Sequence, residues 1–184
     1  KAVMVASPSN PTGTLLSHKE LSAMAAFVKE KGAYLIVDEI YQGLIYNDEV
    51  SSALAIDENI IVINSFSKYF NMTGWRLGWL VAPNNLIDKL YKLAQNIFLA
   101  APTPAQYAAL AAFDSETISI LESYKKEFKQ RRDFLLPKLK QLGFVIETEP
   151  QGAFYIYANC EKFSKDSYQF CYDLLENIGV AITP

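Results

Sequence analysis

The first ninety positions alternate between two hydrophobic periods. Ala2–Ala6 is a continuous apolar run closed by Ser7-Pro8-Ser9-Asn10-Pro11-Thr12-Gly13, the pattern of a buried strand entering a turn. Ser17-His18-Lys19-Glu20 has capping-box spacing, and Leu21, Met24, Ala25 and Val28 follow at helical intervals. That helix should stop at Gly32. Ala33–Val37 is a second apolar run, ended by Asp38-Glu39. A third, Ile60–Ile63, is ended by Asn64-Ser65-Phe66-Ser67-Lys68. Continuous β-rich runs separated by a helix predict a parallel sheet covered on both faces. Trp75 to Val81 alternates and reads as a further strand, with Trp75 and Trp79 on one face.

The pattern then changes. Asn84 to Leu99 reads as a long amphipathic helix, and Pro102-Thr103-Pro104 interrupts it before another helix near Ala105–Phe113. From residue 121 the apolar positions 121, 124, 128, 135, 139 and 142 mark one face of a long helix, with a kink or restart expected at Pro137. Phe144–Ile146 and Ala153–Tyr157 flank Pro150-Gln151-Gly152 and predict two short strands joined by a turn. Ser164 should cap a last helix from about Ser167 to Asn177, ending at Gly179. A boundary therefore falls within Asn84–Pro104. The predicted class is α/β with a mostly parallel sheet before it and α+β after it.

Composition narrows the function classes. Of 184 residues 51% are hydrophobic and 20% charged, which excludes disorder along most of the chain. The net charge of −3 gives no pull toward nucleic acid or an anionic membrane. The longest apolar run, Tyr107 to Phe113, is far shorter than the roughly 20 residues a membrane helix needs. Cys160 and Cys171 match no zinc or redox spacing and point to a reducing, cytoplasmic setting. The single histidine, His18, sits inside the capping box and reads as a helix-start residue. Lys125, Lys126, Lys129, Arg131 and Arg132 are interleaved with Glu122, Glu127 and Asp133, which reads as a solvated helix face.

Ligands of open α/β sheets sit beyond the carboxyl ends of the strands. Here those ends carry Asn10, then Asp38 with Tyr41, then Ser65, Ser67 and Lys68, with Arg76 following between glycines. Asp38-Glu39 after an apolar strand also has the look of a magnesium-binding acid in a nucleotide hydrolase. That chemistry needs a G-x-x-x-x-G-K-[ST] loop, which the sequence lacks. Pyridoxal phosphate chemistry needs a lysine for a Schiff base, an acid against the pyridine nitrogen, and hydroxyl and guanidinium donors for phosphate. Lys68, Asp38, Ser65 with Ser67, and Arg76 supply those types, and Tyr41 and Asn10 supply polar partners for a ring oxygen.

At these residues the chain resembles the class I/II aminotransferases, which are fold-type I pyridoxal phosphate enzymes. The resemblance rests on Ser65-Phe66-Ser67-Lys68 followed by Gly74-Trp75-Arg76-Leu77-Gly78, with Asn10-Pro11-Thr12-Gly13, Asp38-Glu39-Ile40-Tyr41 and Pro150-Gln151-Gly152-Ala153-Phe154-Tyr155 at compatible spacings. It implies that Lys68 forms the Schiff base and carries a proton, and that Asp38 pairs with the pyridinium nitrogen. It also implies that Asn10 and Tyr41 bind the ring oxygen, and that Ser65, Ser67 and Arg76 serve the phosphate. Residues 1–90 would belong to the large cofactor domain and 91–184 to a small C-terminal domain.

The implied partners are an amino acid and a 2-oxo acid, in a homodimeric parent enzyme, with no nucleic acid and no membrane. Family chains carry about as much sequence again before the Asn-Pro-Thr-Gly turn and a substrate-binding arginine after the last residue here. The chain is therefore expected to be a C-terminal half that binds cofactor weakly and does not turn over. A carbon–sulfur lyase and the ligand-sensing domain of a transcription regulator share the scaffold and stay open at this point.

Overall fold

The computed structural model describes residues 1–46 and 50–184. Strands β1 (Ala2–Ala6), β2 (Tyr34–Asp38), β3 (Ile61–Ser65) and β4 (Gly78–Val81) form one sheet in that order. The first three are parallel and β4 is antiparallel to β3. Helix α1 (His18–Glu30) crosses between β1 and β2. The Ser17 hydroxyl accepts from the Glu20 N–H at 3.3 Å while the Glu20 carboxylate accepts from the Ser17 N–H at 2.8 Å, closing the expected capping box.

One stripe of α1 (Leu21, Ala25, Val28) packs on the sheet face formed by Leu35, Val37 and Val62. Side chains alternate across a strand, so these residues share a face while Tyr34, Ile36 and Asp38 take the other. Burying Leu35 or Val37 completely contributes about 1.5–3 kcal/mol each. The expected cover on both faces is not found among the described residues. Met4, beside Ile36 in register, is 60% exposed, and Leu80, beside Ile63, is 46% exposed. The apolar runs report that both sheet faces suit burial, but this chain lays a helix on only one.

Among the described residues the other α-helices are α2 (Asn84–Ile97), α3 (Thr103–Ala111), α4 (Ser115–Leu142) and α5 (Ser167–Ile178). Helix α4 runs through Pro137 as one element of 28 residues, so the restart considered for that position does not occur. The cap of α5 is Asp166 rather than Ser164: the Asp166 carboxylate accepts from Gln169 N–H at 3.0 Å, and the Ser164 hydroxyl accepts from Asp166 N–H at 3.1 Å. The strand expected over Trp75–Val81 is shorter, since Thr73–Trp75 forms a 3-10 turn, so Trp75 does not share a strand face with Trp79.

The two strands expected around Pro150 are reduced to single bridges, Val145 to Asn159 and Ile45 to Gly152. Backbone donors of this segment go elsewhere. Gln151 and Gly152 N–H both bond to the Gly13 carbonyl, at 2.9 and 3.0 Å, and Ala153 N–H bonds to the Leu44 carbonyl at 3.0 Å. The segment is thus bound to the turn after β1 and the turn after β2 instead of to itself. A second cluster, of Phe66, Phe70, Trp79 and Phe113 with ring centroids 5.0–6.4 Å apart, ties the turn after α3 to β4 and the loop between β3 and β4, and Ala109 of α3 packs against Phe66 in the same cluster.

Candidate active site at the sheet edge

The register places the candidate residues along one edge. Ala6 lies beside Asp38, and Asp38 beside Ile63, so the chain leaves β1, β2 and β3 on the same side of the sheet. Ser65 pairs with Gly78 across the antiparallel junction, which returns Arg76 to that side as well. A β-carbon on Gly78 would lie 2.8 Å from the Asn64 carbonyl oxygen, so this junction requires glycine.

Each turn holds its side chains differently. Asn10 is exposed on a turn closed by Gly13 N–H to the Ser9 carbonyl at 2.8 Å. The Asp38 carboxylate accepts from Ile40 N–H at 2.9 Å, which fixes its orientation at the strand end. Ser65 Oγ donates to the Leu77 carbonyl at 3.1 Å and accepts from Ser67 N–H at 3.0 Å. Thr73 Oγ1 donates to the Ser67 carbonyl, and Arg76 Nη1 donates to the Thr73 carbonyl at 3.0 Å. Arg76 itself has φ +53°, a left-handed conformation that costs a non-glycine residue about 1–2 kcal/mol. Such strain persists where surrounding structure enforces it, often at functional sites.

Tyr41 is 2% exposed and lies edge-on to Phe154 and Tyr155, with centroids 5.4 and 5.5 Å away. Its hydroxyl shares a hydrogen bond with that of Tyr155. Burial first, then the Tyr155 hydrogen bond and charge and the nearby Asp38 carboxylate, raise the Tyr41 phenol well above its ordinary range. Lys68 Nζ stands 5.6 Å from the ring centres of both Tyr41 and Phe154, within cation–π reach. A cavity of about 390 Å³ opens between the Ser67–Thr73 loop and α4. Of the residues singled out from sequence, Ser67 and Lys68 line it, whereas Asn10, Asp38, Tyr41, Ser65 and Arg76 do not.

Two features were not legible in advance. Phe154 and Tyr155 flank Tyr41 beside Lys68, although sequence reading took their segment only as a strand turn. Arg131 lies on the solvated face as expected, its side chain 67% exposed, but Arg132 does not. Arg131 pairs with Glu127 and both line the cavity with Lys68. The Arg132 side chain is 12% exposed, donates to the Pro150 carbonyl at 2.8 Å and stands 4.9 Å from the Tyr46 ring centre. The i, i+4 charge pattern is real, but the helix also has the 150–155 segment against it.

Glu39 points away from this edge and is 4% exposed, accepting from Ala53 N–H at 2.6 Å and Ser52 Oγ at 3.1 Å. Desolvation raises its carboxyl above the usual range, against the lowering effect of those two bonds. A carboxyl raised on folding contributes stability that is complete below the unfolded value of about 4.3 and is lost as pH rises through the folded value. Glu39→Gln should therefore be more costly relative to the native chain at pH 4 than at pH 7. Urea unfolding at both pH values measures this, and an equal difference at the two would contradict it.

All 184 residues match the family profile described as "Aminotransferase class I and II". The chain belongs to that family. It is 41% identical to a (5-formylfuran-3-yl)methyl phosphate transaminase of Methanocaldococcus jannaschii and 40% identical to a valine–pyruvate aminotransferase of Mycobacterium tuberculosis. Each match covers 100% of this chain and 48% of the relative, so the chain spans about half the length of these curated relatives. The fold superposes on a crystal structure of an aminotransferase from Mycobacterium tuberculosis with a TM-score of 0.95 at 40% identity, over 100% of this chain and 48% of that one. The mostly parallel sheet with its helices is thus that of the fold-type I aminotransferases. Among the described residues no helix is long and apolar enough to cross a membrane.

Proposed function

We propose that these residues form the lysine-bearing part of the active site of a pyridoxal 5′-phosphate-dependent aminotransferase, which moves an amino group between an amino acid and a 2-oxo acid. The observation that carries this reading is the register-aligned edge with its amine, carboxylate, hydroxyl and guanidinium groups in a chain about 40% identical to named transaminases. Names such as valine–pyruvate and aspartate aminotransferase support the substrate class.

The donor set fits pyridoxal phosphate chemically. The Lys68 amine would meet the aldehyde, the Asp38 carboxylate the ring nitrogen, and the Arg76 guanidinium with the Ser65 and Ser67 hydroxyls the phosphate. Asn10 and Tyr41 would hold the ring oxygen. When bound, the protonated ring supplies an electron sink for bond breaking at the substrate α-carbon. The chain's own contributions are then distinct. Lys68 would hold the cofactor through its amine and would move the proton at the substrate α-carbon. Asp38, fixed by the Ile40 N–H, keeps the ring nitrogen protonated by pairing with its charge. Arg76, two residues before the β3–β4 pairing begins at Gly78, would present a planar fork that matches phosphate.

This reading takes residues 1–90 as part of the cofactor domain and 91–184 as a smaller domain. It also takes a cytoplasmic homodimer, supported by two free cysteines and by the exposed apolar side chains Tyr91, Leu93 and Ile97 of α2. Adding pyridoxal phosphate, reducing with borohydride and mapping the adduct by mass spectrometry should place the label on Lys68. Label on a different lysine would overturn the assignment.

A further inference from the structure

Tyr155 has no part in the donor set above, yet it holds the hydroxyl of a residue that does. A phenol has one proton and two acceptor positions, and an unpartnered O–H turns freely about its C–O bond. At Tyr41 that freedom is removed by the hydrogen bond to Tyr155. Tyr155 is delivered there by a segment anchored by two N–H bonds to Gly13 O, one to Leu44 O, the Arg132 guanidinium on Pro150 O, and Tyr46, whose N–H and hydroxyl donate to the Gln151 and Ala153 carbonyls. Ala153, 1% exposed with φ +59°, turns the backbone just before Phe154 and Tyr155. The rings of Phe154 and Tyr155 then bracket Tyr41, whose own ring and that of Phe154 face Lys68 Nζ.

We propose that Tyr155 is a positioning residue that acts on the cofactor site through Tyr41, its hydroxyl donating to the Tyr41 oxygen so that the single Tyr41 proton is directed to where a ring oxygen must be met. The proposal rests on the reading given under Proposed function. The other titratable groups facing Tyr41 are Asp38 from the end of β2, Lys68 from the loop after β3, and Tyr69, whose hydroxyl donates to Glu122 of α4 at 2.6 Å. Tyr155 differs from these in bonding to the Tyr41 hydroxyl itself. Without it, Tyr41 keeps its burial but loses its direction.

Two measurements test this with Tyr155→Phe, Tyr41→Phe and the double variant. The first uses the cofactor-free chain and its urea unfolding. A shared hydroxyl bond makes the two substitutions non-additive, the double variant losing less than the sum of the singles, whereas strict additivity would overturn the pairing. The second follows the pH dependence of the absorption of the Lys68–pyridoxal adduct. A donor to the ring oxygen stabilises its anionic form, so losing that donor moves the titration midpoint upward. An ordinary hydrogen bond changes a linked equilibrium by about three- to tenfold, or about half to one pH unit. Tyr41→Phe should show the larger upward shift, Tyr155→Phe a smaller one, and the double variant no more than Tyr41→Phe alone. An unmoved midpoint in Tyr155→Phe, or shifts that add, would overturn the proposal while leaving the Lys68 assignment intact. Absence of any Lys68 adduct in the native chain would instead overturn the functional reading, and this proposal with it.

Discussion

Lys68→Ala is expected to abolish covalent capture of pyridoxal phosphate altogether: no reducible adduct at position 68 and no compensating label elsewhere. The neighbouring rings of Tyr41 and Phe154 offer no second amine at that place. In a chain of the relatives' full length carrying these residues, amino transfer should fall by about four orders of magnitude, the upper end of what one general base contributes. Lys68→Arg separates the two duties of the side chain. It keeps a cation over the two rings, worth about 0.5–2 kcal/mol, but a guanidinium cannot give up its proton near neutrality. Thermal stability should therefore survive in Lys68→Arg while adduct and transfer are lost. Retention of transfer in either variant would remove Lys68 from the chemistry.

Gly13→Ala is expected to have the largest structural effect. A β-carbon there would stand 2.6 Å from Pro150 Cβ and 2.7 Å from the Gly152 carbonyl oxygen, and neither is the free end of a side chain. Gly13 also has φ +68°, where any other residue is strained. Overpacking and the left-handed backbone together cost about 3 kcal/mol. For a chain of this size that corresponds to a melting point lower by about 10 °C, measurable by circular dichroism. Gly32→Ala is the control, because Gly32 has φ +59° with nothing within 4 Å of the added carbon. It should cost only the backbone strain, about 1 kcal/mol. Equal shifts in the two variants would show that docking of the 150–152 segment on Gly13 is not what makes the first one severe. The Gly13 change should also loosen Phe154 and Tyr155, since the same carbonyl accepts from Gln151 and Gly152.

The elements that could be read from the chain are those specified by neighbours in sequence. The capping box at Ser17 and Glu20, the stripe Leu21–Ala25–Val28 and the runs Ala33–Val37 and Ile60–Ile63 each depend on spacings of a few residues; the first two fold as expected, and the runs form strands Tyr34–Asp38 and Ile61–Ser65. The candidate residues at the strand ends were legible for the same reason. A parallel sheet puts every strand's exit on one edge, so strand order along the chain is enough to gather Asp38, Ser65 and Lys68 there. The segment around Pro150 was misread as a hairpin because its apolar alternation says only that it is half-buried. Its donors bond to Gly13 and Leu44, more than 100 residues away in sequence, and no local pattern records such partners.

By itself, then, the sequence determined the α/β order, the capping box of α1, and which lysine, acid, hydroxyls and guanidinium are candidates at the strand ends, because those follow from short-range periodicity and turn chemistry. Only the tertiary structure decided that one sheet face is open, that Arg132 leaves the solvated side of α4 to hold Pro150, and that Tyr155 reaches the hydroxyl of Tyr41. The physical reason is common to all three. A side chain's residue type fixes what bonds it can make, but which partner completes them depends on segments brought together by packing.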